Sequence, residues 1–338
     1  MKQAFIRWGS ILITIASIIY FVYYARSAIA GVDLSKLLSA RMLAGVAALT
    51  ALYAMLIPTT ALAWTLLLRA LKQKARYRQT LAILATTQFG KYLPGNVAQH
   101  IGRVVMARAA GIELTSALFS MAYETLLVLL ACAHISALTL LWAPPEFFTR
   151  WQIVDYRTPL LIAVTAGTIA FILLAPHLAA TLSIRREKSR GNVSFVPQAL
   201  HLRPVTALRC YAVYLVNFFI VGVGLWVLVR AMPSADASAP GLLFLTGAFS
   251  ISWILGFVTP GAPAGLGVRE VVLGAWLSES MPPAQIVLAI VALRIATTLG
   301  DLLNFVAGGI ATRRMRRIPT GSRPRASSAR RSSSMPSG

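Results

Sequence analysis

Repeated apolar stretches of about 20 residues constrain the fold of this chain more than any other feature. A helix needs about 20 predominantly apolar residues to cross a hydrocarbon core of about 30 Å. The chain has 338 residues, of which 57% are hydrophobic and only 12% are charged, whereas soluble domains carry about 25% charge. The sequence therefore predicts an all-α, polytopic membrane protein with six full spans. They lie at about 8–25, 43–68, 115–142, 159–183, 206–231 and 284–311.

The basic residues predict how these spans are oriented. Most of the formal net charge of +22 lies in short loops and in the C-terminal tail, with five basic residues in 69–78 and five in 185–203. Because short cytoplasmic loops are enriched in Lys and Arg, both loops and both termini are predicted to be cytoplasmic. This distribution favours contact with anionic lipids and gives no reason to expect a nucleic-acid partner. One membrane domain, 1–317, is predicted, followed by a disordered Ser/Pro/Arg-rich tail, 318–338.

Two shorter helical segments, 79–110 and 241–281, are broken by proline and glycine. Proline disfavours helical backbone at the residue before it, and glycine accepts positive φ. The helix-breaking residues are Pro94, Gly95, Pro260, Gly261, Gly265 and Gly267. The charge pattern predicts two re-entrant hairpins of inverted orientation, the first from the cytoplasm and the second from outside, as in transporters with a midplane binding site. For the first segment, the alternative is a pair of amphipathic helices on the inner surface.

Polar residues beside the two breaks are the candidate ligand-binding residues. In the first segment, polar residues recur at i, i+3, i+4 and i+7, so they share one helix face. They are Asn96, Gln99, His100 and Arg103. Arg103 and Arg269 each follow a glycine-rich break at a helix start, where free N–H groups and the helix dipole favour an anion. The planar guanidinium fork suits a phosphate. The residues predicted to bind a lipid phosphate or headgroup are Lys91, Asn96, Gln99, His100, Arg103 and Arg269.

Ionisable residues within or beside the apolar spans form a second candidate group, because charge at membrane depth is costly. The residues predicted to balance the charge of the cavity are Glu124, Glu270, Arg294 and Asp301. Glu124 and Asp301 are alternatively predicted to recognise a cationic headgroup. A purely structural interpretation pairs Glu124 with an arginine, and Arg294 with Asp301 through a bridging group. His100 can shuttle protons, although a histidine of this kind is more often part of a hydrogen-bonded network.

The sequence contains no nucleophile elbow, Walker loop or paired-carboxylate site, so no catalytic residue and no enzyme activity are predicted. The four histidines are scattered, and the two cysteines, Cys132 and Cys210, lie within apolar spans. We therefore predict no metal site, disulfide or cofactor.

Two motifs coincide with the breaks. The first is Gly90-Lys91-Tyr92-Leu93-Pro94-Gly95-Asn96 with His100 and Gly102-Arg103, and the second is Pro260-Gly261 with Gly265-Leu266-Gly267-Val268-Arg269-Glu270. Through these motifs, in order and spacing over about 5–315, the chain resembles a family of flippase-like membrane proteins. This family is named for the transmembrane region of lysylphosphatidylglycerol synthases and includes YbhN-like bacterial inner-membrane proteins.

The resemblance implies a multi-pass protein of the bacterial inner membrane that moves a modified phospholipid or lipid-linked headgroup between leaflets. The bifunctional synthases carry a further soluble transferase domain, which we do not expect in this chain. Two alternatives remain open. One is an accessory subunit of a lipid-modifying or glycosyl-transfer pathway, with a lipid-modifying enzyme as its partner. The other is a membrane-embedded transferase with Glu124 or His100 as the base.

Overall fold

The chain folds as a bundle of long and short α-helices. The computed structural model describes residues 39–92, 98–142, 153–189, 202–232, 239–259 and 263–317, together with Tyr23 and Arg26. The α-helices are α1 (Ala40–Ala54), α2 (Leu56–Ala70), α3 (Tyr77–Thr87), α4 (Ala98–Ala109), α5 (Leu114–Trp142), α6 (Arg157–Ser189), α7 (Pro204–Arg230), α8 (Leu242–Val258), α9 (Val268–Leu277) and α10 (Pro283–Arg317). Short 3₁₀ helices lie at Gln88–Tyr92, Ile153–Tyr156 and Pro263–Gly265. These residues include no β-strand, so the predicted all-α class is confirmed.

Five of the six predicted spans are confirmed as helices long and apolar enough to cross a membrane. They are Ala40–Ala70, Leu114–Trp142, Arg157–His177, Pro204–Arg230 and Pro283–Arg313. The first of these combines α1 and α2, which meet at Met55. The predicted span at 8–25 lies outside the described residues apart from Tyr23, and the predicted tail at 318–338 lies wholly outside them.

Small residues let α7 approach its neighbours closely at the centre of the bundle. This helix packs against α1, α2, α5 and α8. A Cβ atom built on Gly222 would collide with Thr246 of α8, and one built on Gly224 would collide with Leu49 of α1. Lipid tails are as apolar as leucine, so close packing at small residues is a main source of helix association in membranes. The stability of the bundle core therefore requires close approach of the helices at small residues, in addition to burial of apolar side chains.

The first hairpin consists of α3, the 3₁₀ helix Gln88–Tyr92 and α4. The two α-helices have 11 and 12 residues, so each is about 17 Å long and covers about half of a bilayer core. α3 lies between α2 and α10, with one buried stretch, 82–85, in the protein interior. A Cβ atom on Gly308 of α10 would lie 2.6 Å from the Cβ of Ala85. This position inside the bundle supports the re-entrant arrangement rather than a helix pair on the surface.

The second hairpin consists of α8, the 3₁₀ helix Pro263–Gly265 and α9. Its tip reverses through three residues with positive φ: Ala264 (50°), Gly265 (71°) and Gly267 (83°). Glycine adopts this backbone without a Cβ clash, which explains two of the predicted helix-breaking residues. Pro94, Gly95, Pro260 and Gly261 lie outside the described residues.

The two hairpins meet at their tips, where Gln88–Tyr92 contacts Pro263–Gly265. Three long helices, α5, α6 and α7, separate the hairpins along the chain. If each of these crosses the bilayer once, the hairpins start from opposite sides. The architecture therefore agrees with the predicted pair of inverted broken hairpins and brings both breaks to one place.

Candidate functional site

A cavity of about 250 Å³ lies where the two hairpin tips meet. The long helices contribute to it from the middle of their length. Val128 is the central residue of α5, Asn217 is the central residue of α7, and Asp301 is next to the centre of α10. The cavity is therefore at about half the depth of the bundle, which is where transporters with broken helices bind their substrates.

Most of the predicted site residues line this cavity. Those in its wall are Lys91, Gln99, His100, Arg103, Glu124, Arg269 and Asp301. Glu270 and Arg294 line a smaller pocket that shares Arg269 with the main cavity. Asn96 lies outside the described residues. His100 lies 3.3 Å from the side-chain amide of Gln99, measured between their Nε2 atoms.

Arg103 on α4 forms a bidentate ion pair with Glu124 on α5. One guanidinium nitrogen, Nη1, donates to Oε1 at 3.1 Å, and Nη2 donates to Oε2. The two residues are only 7% and 6% exposed. The guanidinium also stacks 4.0 Å from the ring centre of Trp64, whose indole N–H donates to Ser120. The structural pairing of Glu124 with an arginine is thus present, and the fork of Arg103 is already occupied.

Lys91, at the tip of the first hairpin, pairs with Asp301 of α10. The Lys91 Nζ lies 2.6 Å from Asp301 Oδ2, and the Tyr92 hydroxyl donates to the same oxygen at 2.6 Å. The Lys91 ammonium also donates to the Tyr53 hydroxyl at 3.2 Å. Asp301 is fully buried. The structural interpretation joins Asp301 to Arg294 through a bridging group, whereas the direct ionic partner of Asp301 is Lys91 of the first hairpin.

Arg294 instead joins α10 to the second hairpin. Its Nε donates to Glu270 Oε1, and its Nη1 donates to the backbone carbonyl of Ala264 at 3.3 Å. The carboxylate of Glu270 is buried, while the Arg294 side chain is a quarter exposed. The Arg294 side chain therefore neutralises Glu270 in the first turn of α9 and donates a hydrogen bond to the left-handed turn at the hairpin tip.

Arg269 differs from the other cationic residues of the site. Among the described residues, no carboxylate lies within ion-pair distance of it. Its buried Nε has no hydrogen-bond partner in that part of the chain. The guanidinium lies 5.6 Å from the ring centre of Trp253. The side chain occupies a slot between two glycines, since an added Cβ would lie 2.5 Å from its Cγ at Gly256 and 2.6 Å from its Nε at Gly265.

Among the described residues, the charged side chains lining the cavity leave one positive charge uncompensated. Three are cationic and two are anionic: Lys91, Arg103, Arg269, Glu124 and Asp301. Within the described residues, three lining side chains also carry a buried polar N–H or O–H without a partner: Arg103 Nε, Tyr214 Oη and Arg269 Nε. A net positive charge with unpartnered donors is suited to an anion.

The aromatic partners of these cations were not predicted from the sequence. Tyr53, Trp64 and Trp253 lie in apolar helices, where an aromatic residue is an ordinary core residue. Asn217 did have a sequence signal, because it is a polar residue in the middle of the apolar helix α7. It accepts a hydrogen bond from Thr59 at 2.6 Å and donates one to Thr60 at 3.2 Å.

Comparison with known proteins identifies the family. The family described as the lysylphosphatidylglycerol synthase TM region matches residues 8–303. This range includes both hairpins and every residue named above in the cavity wall. A search of curated proteins finds no significant match to the chain. The chain is therefore a multi-pass membrane protein that belongs to the lysylphosphatidylglycerol synthase TM region family, as the motifs at the two breaks predicted.

Proposed function

We propose that this protein moves a phospholipid between the two leaflets of the membrane. In this proposal the lipid phosphate enters the cavity at the hairpin tips while the acyl chains stay in the bilayer. The single observation that carries the proposal is Arg269, a cation at half depth with no carboxylate partner in the described structure. The family description supports a role connected with lipid modification. The bacterial inner membrane with cytoplasmic termini is part of the same proposal.

A buried charge needs a partner of opposite charge. A charged group removed from water without a partner is destabilising by several kcal/mol (roughly, after relaxation). Lys91, Arg103 and Arg294 each avoid this cost through a carboxylate. Arg269 lacks that compensation, and a lipid phosphate in the cavity would supply it. The phosphate of a phospholipid is the anion most available at membrane depth.

Different cavity residues would bind different parts of the lipid. Arg269 provides the phosphate contact, because its guanidinium is not engaged by a carboxylate. Arg103 contributes its remaining N–H groups but not its Nη1/Nη2 fork, which is bound to Glu124. Gln99 and His100 lie on the same helix face as Arg103 and can donate to headgroup oxygens.

The movement itself would use the meeting point of the two hairpins. Because they start from opposite sides of the bundle, small shifts of either one can open the cavity toward one leaflet or the other. The sequence contains no nucleotide-binding loop. Transport in this proposal therefore follows a gradient of the lipid or of an ion.

A scrambling assay in liposomes tests the proposal. The purified protein is reconstituted with a headgroup-labelled phospholipid, and the label in the outer leaflet is destroyed by a membrane-impermeant reagent. We expect the wild type to make the inner-leaflet label accessible, and Arg269→Gln to lower the initial rate by about tenfold or more, given the usual strength of charge-assisted hydrogen bonds. Arg209→Gln is the matched control, because Arg209 is exposed on α7 and does not line the cavity.

Two results would contradict the proposal. One is an active wild type whose rate is unchanged in Arg269→Gln, which would remove the phosphate role of Arg269. The other is an inactive wild type that is folded by circular dichroism. If that protein co-purified with a lipid-modifying enzyme, the accessory-subunit alternative would replace translocation.

A further inference from the structure

We infer that Asn304 of α10 is a positioning residue for the cavity. Its side-chain amide holds the break between α1 and α2 in place. Through that break it holds Tyr53 of α1 against Lys91 of the first hairpin. The link from this geometry to transport rests on the proposed function.

Proline breaks the span that combines α1 and α2 at its centre. The span has 31 residues, Ala40–Ala70, and Met55, where the two helices meet, is the central one. Pro58 has no N–H, so it cannot donate to the carbonyl of Ala54, four residues before it, and its ring crowds that carbonyl. Hydrocarbon offers no donor, so a carbonyl freed at this depth needs one from elsewhere in the protein.

Asn304 supplies that donor. Its Nδ2 donates to the carbonyl of Ala54 at 3.1 Å and to the carbonyl of Gly300, on its own helix, at 3.0 Å. Two carbonyl oxygens around one nitrogen use both N–H bonds of the amide. Asn304 is half-buried, although the residues on either side of it in the sequence, Leu303 and Phe305, are exposed. The bond to Ala54 therefore explains an asparagine among apolar residues on the surface of a membrane span.

α10 also packs closely on the end of α1. A Cβ atom built on Gly300 would lie 2.8 Å from Cδ1 of Tyr53 and 3.4 Å from the backbone nitrogen of Ala54. Gly300 thus lets α10 touch the backbone of α1, and the amide of Asn304, one turn further along, reaches the freed carbonyl. Close packing and one hydrogen bond together fix Tyr53 and Ala54 relative to α10.

Each side of the break is held by a different helix. On the α2 side, Asn217 of α7 accepts a hydrogen bond from Thr59 and donates one to Thr60. On the α1 side, α10 holds the carbonyl of Ala54. Without that bond, α1 and Tyr53 can turn about the break while α2 stays in place.

Tyr53 connects the break to the first hairpin. Its hydroxyl accepts a hydrogen bond from the Lys91 ammonium at 3.2 Å, and the ammonium lies 5.6 Å from its ring centre. Lys91 also pairs with Asp301, three residues before Asn304 on α10. Tyr53, Lys91 and Asp301 all line the cavity. Asn304 acts on the cavity through Tyr53, from outside the cavity wall.

A double-variant cycle on the full-length protein tests the hydrogen bond. Asn304→Leu keeps a side chain of similar size and removes the donor to Ala54. Pro58→Ala restores a backbone N–H that can bond the same carbonyl, so it should make Asn304 dispensable. We expect Asn304→Leu to raise the equilibrium constant for unfolding about fivefold more in the wild type than in Pro58→Ala, as for one neutral hydrogen bond. Equal effects in the two backgrounds would overturn the inference.

The reactivity of Lys91 tests the positioning role without depending on transport. Purified variants in detergent are treated with formaldehyde and a borane, and methylation of Lys91 is followed by mass spectrometry. We expect Lys91 to react about fivefold faster in Asn304→Leu, because its contact with α1 is loosened, and at the wild-type rate when Pro58→Ala is added. Ser136→Ala is the matched control, because the half-buried hydroxyl of Ser136 bonds a carbonyl of its own helix, away from the cavity wall. Unchanged reactivity of Lys91 in Asn304→Leu would overturn the positioning role.

The scrambling assay connects the position of Lys91 with transport. We expect Asn304→Leu to lower the initial rate about fivefold, and the added Pro58→Ala to restore it. A folded wild type without scrambling would remove the proposed function, whereas the reactivity of Lys91 would still decide the positioning role. Faster reaction of Lys91 together with unchanged scrambling would overturn the role of Asn304 in transport.

Discussion

The two broken hairpins carry similar sequence motifs but differ in how their arginines are used. The prediction that Arg103 lies at a helix start is wrong, because Arg103 is the sixth of the 12 residues of α4. Arg269 does lie at a helix start, as the second residue of α9. The fork of Arg103 is closed by Glu124 on a neighbouring span, whereas Arg269 has no carboxylate among the described residues. The arginine after the break is thus part of a structural ion pair in one hairpin and a candidate ligand contact in the other. What decides between them is the residue that the opposing helix presents.

Helix α10 connects the two hairpins. Arg294 pairs with the second hairpin through Glu270, and Asp301, two turns further along, pairs with the first through Lys91. Residues seven positions apart lie on one face of a helix. α10 therefore contacts both tips from one face, with Asp301 neutralising Lys91 of the first hairpin and Arg294 neutralising Glu270 of the second.

Breaking the Arg103–Glu124 pair should give the largest difference between the hairpins. Arg103→Ala leaves the carboxylate of Glu124 buried without its cation, which should lower the free energy of unfolding by about 3–5 kcal/mol. Arg269→Ala strands no carboxylate and removes a buried charge that has no ionic partner among the described residues, so it should not lower the free energy of unfolding. Denaturant unfolding in a mild detergent, followed by tryptophan fluorescence, measures both.

The double variant Arg103→Met/Glu124→Leu is the control for this comparison. It removes both charges and should recover most of the lost stability. Equal destabilisation by Arg103→Ala and Arg269→Ala would show that Arg269 has a structural partner as strong as Glu124, and would remove the distinction between the hairpins.

A substitution that displaces the Arg269 side chain tests the effect of its position separately from the effect of its charge. Gly256→Ala places a Cβ 2.5 Å from the Cγ and 3.0 Å from the Nε of Arg269, so the guanidinium must leave its slot. We expect scrambling to fall by about tenfold with the net charge unchanged, because one charge-assisted contact is lost. The initial rate in the liposome assay is the measurement.

Gly167→Ala is the matched control, since a Cβ at that position meets nothing within 4 Å. It should leave scrambling unchanged and stabilise α6 slightly, because alanine favours a helix more than glycine. Normal scrambling in Gly256→Ala would mean that the slot between the two glycines has no part in positioning Arg269 for its ligand.

The contacts of Arg294 with the second hairpin should stabilise the protein less than the buried Arg103–Glu124 pair of the first hairpin. Arg294→Lys keeps the charge near Glu270 but cannot reach both the carboxylate and the carbonyl of Ala264 with one planar group. We expect a loss of about 1 kcal/mol in the free energy of unfolding. The same denaturant titration tests this, and a loss as large as that of Arg103→Ala would contradict the ranking of the two hairpins.

Local patterns in the sequence account for the spans and the breaks. Length and hydropathy of 115–142 or 206–231 are properties of adjacent residues, and a glycine such as Gly265 indicates its own positive φ. The ion pairs depend on residues far apart in the chain, such as Lys91 and Asp301. Lys91 and Arg294 could each pair with either Glu270 or Asp301. Only the packing of α10 against the hairpins decides which pairs form. For this reason the sequence does not show that the direct partner of Asp301 is Lys91 rather than Arg294.

The isolation of Arg269 could not be predicted for a similar reason. In the sequence, Arg103 and Arg269 each follow a segment that contains proline and glycine, so the sequence alone does not distinguish them. The difference lies in Glu124, which α5 places beside Arg103. Each guanidinium also lies beside a tryptophan, Trp64 for Arg103 and Trp253 for Arg269. An aromatic residue in an apolar helix gives no sequence signal of this role.

Substitution of His100 should have the smallest effect on the scrambling rate, and it tests what the first hairpin contributes. Its contact in the described structure is with Gln99, at 3.3 Å between the two Nε2 atoms, and no carboxylate of that part of the chain pairs with it. A glutamine can replace a neutral imidazole as a hydrogen-bonding group. His100→Gln should therefore keep the scrambling rate within about threefold of the wild type and leave its dependence on pH unchanged between about pH 5 and 8. A pH dependence that is present in the wild type and disappears in His100→Gln would instead assign proton transfer to the first hairpin, which would then do more than provide headgroup contacts beside Arg269.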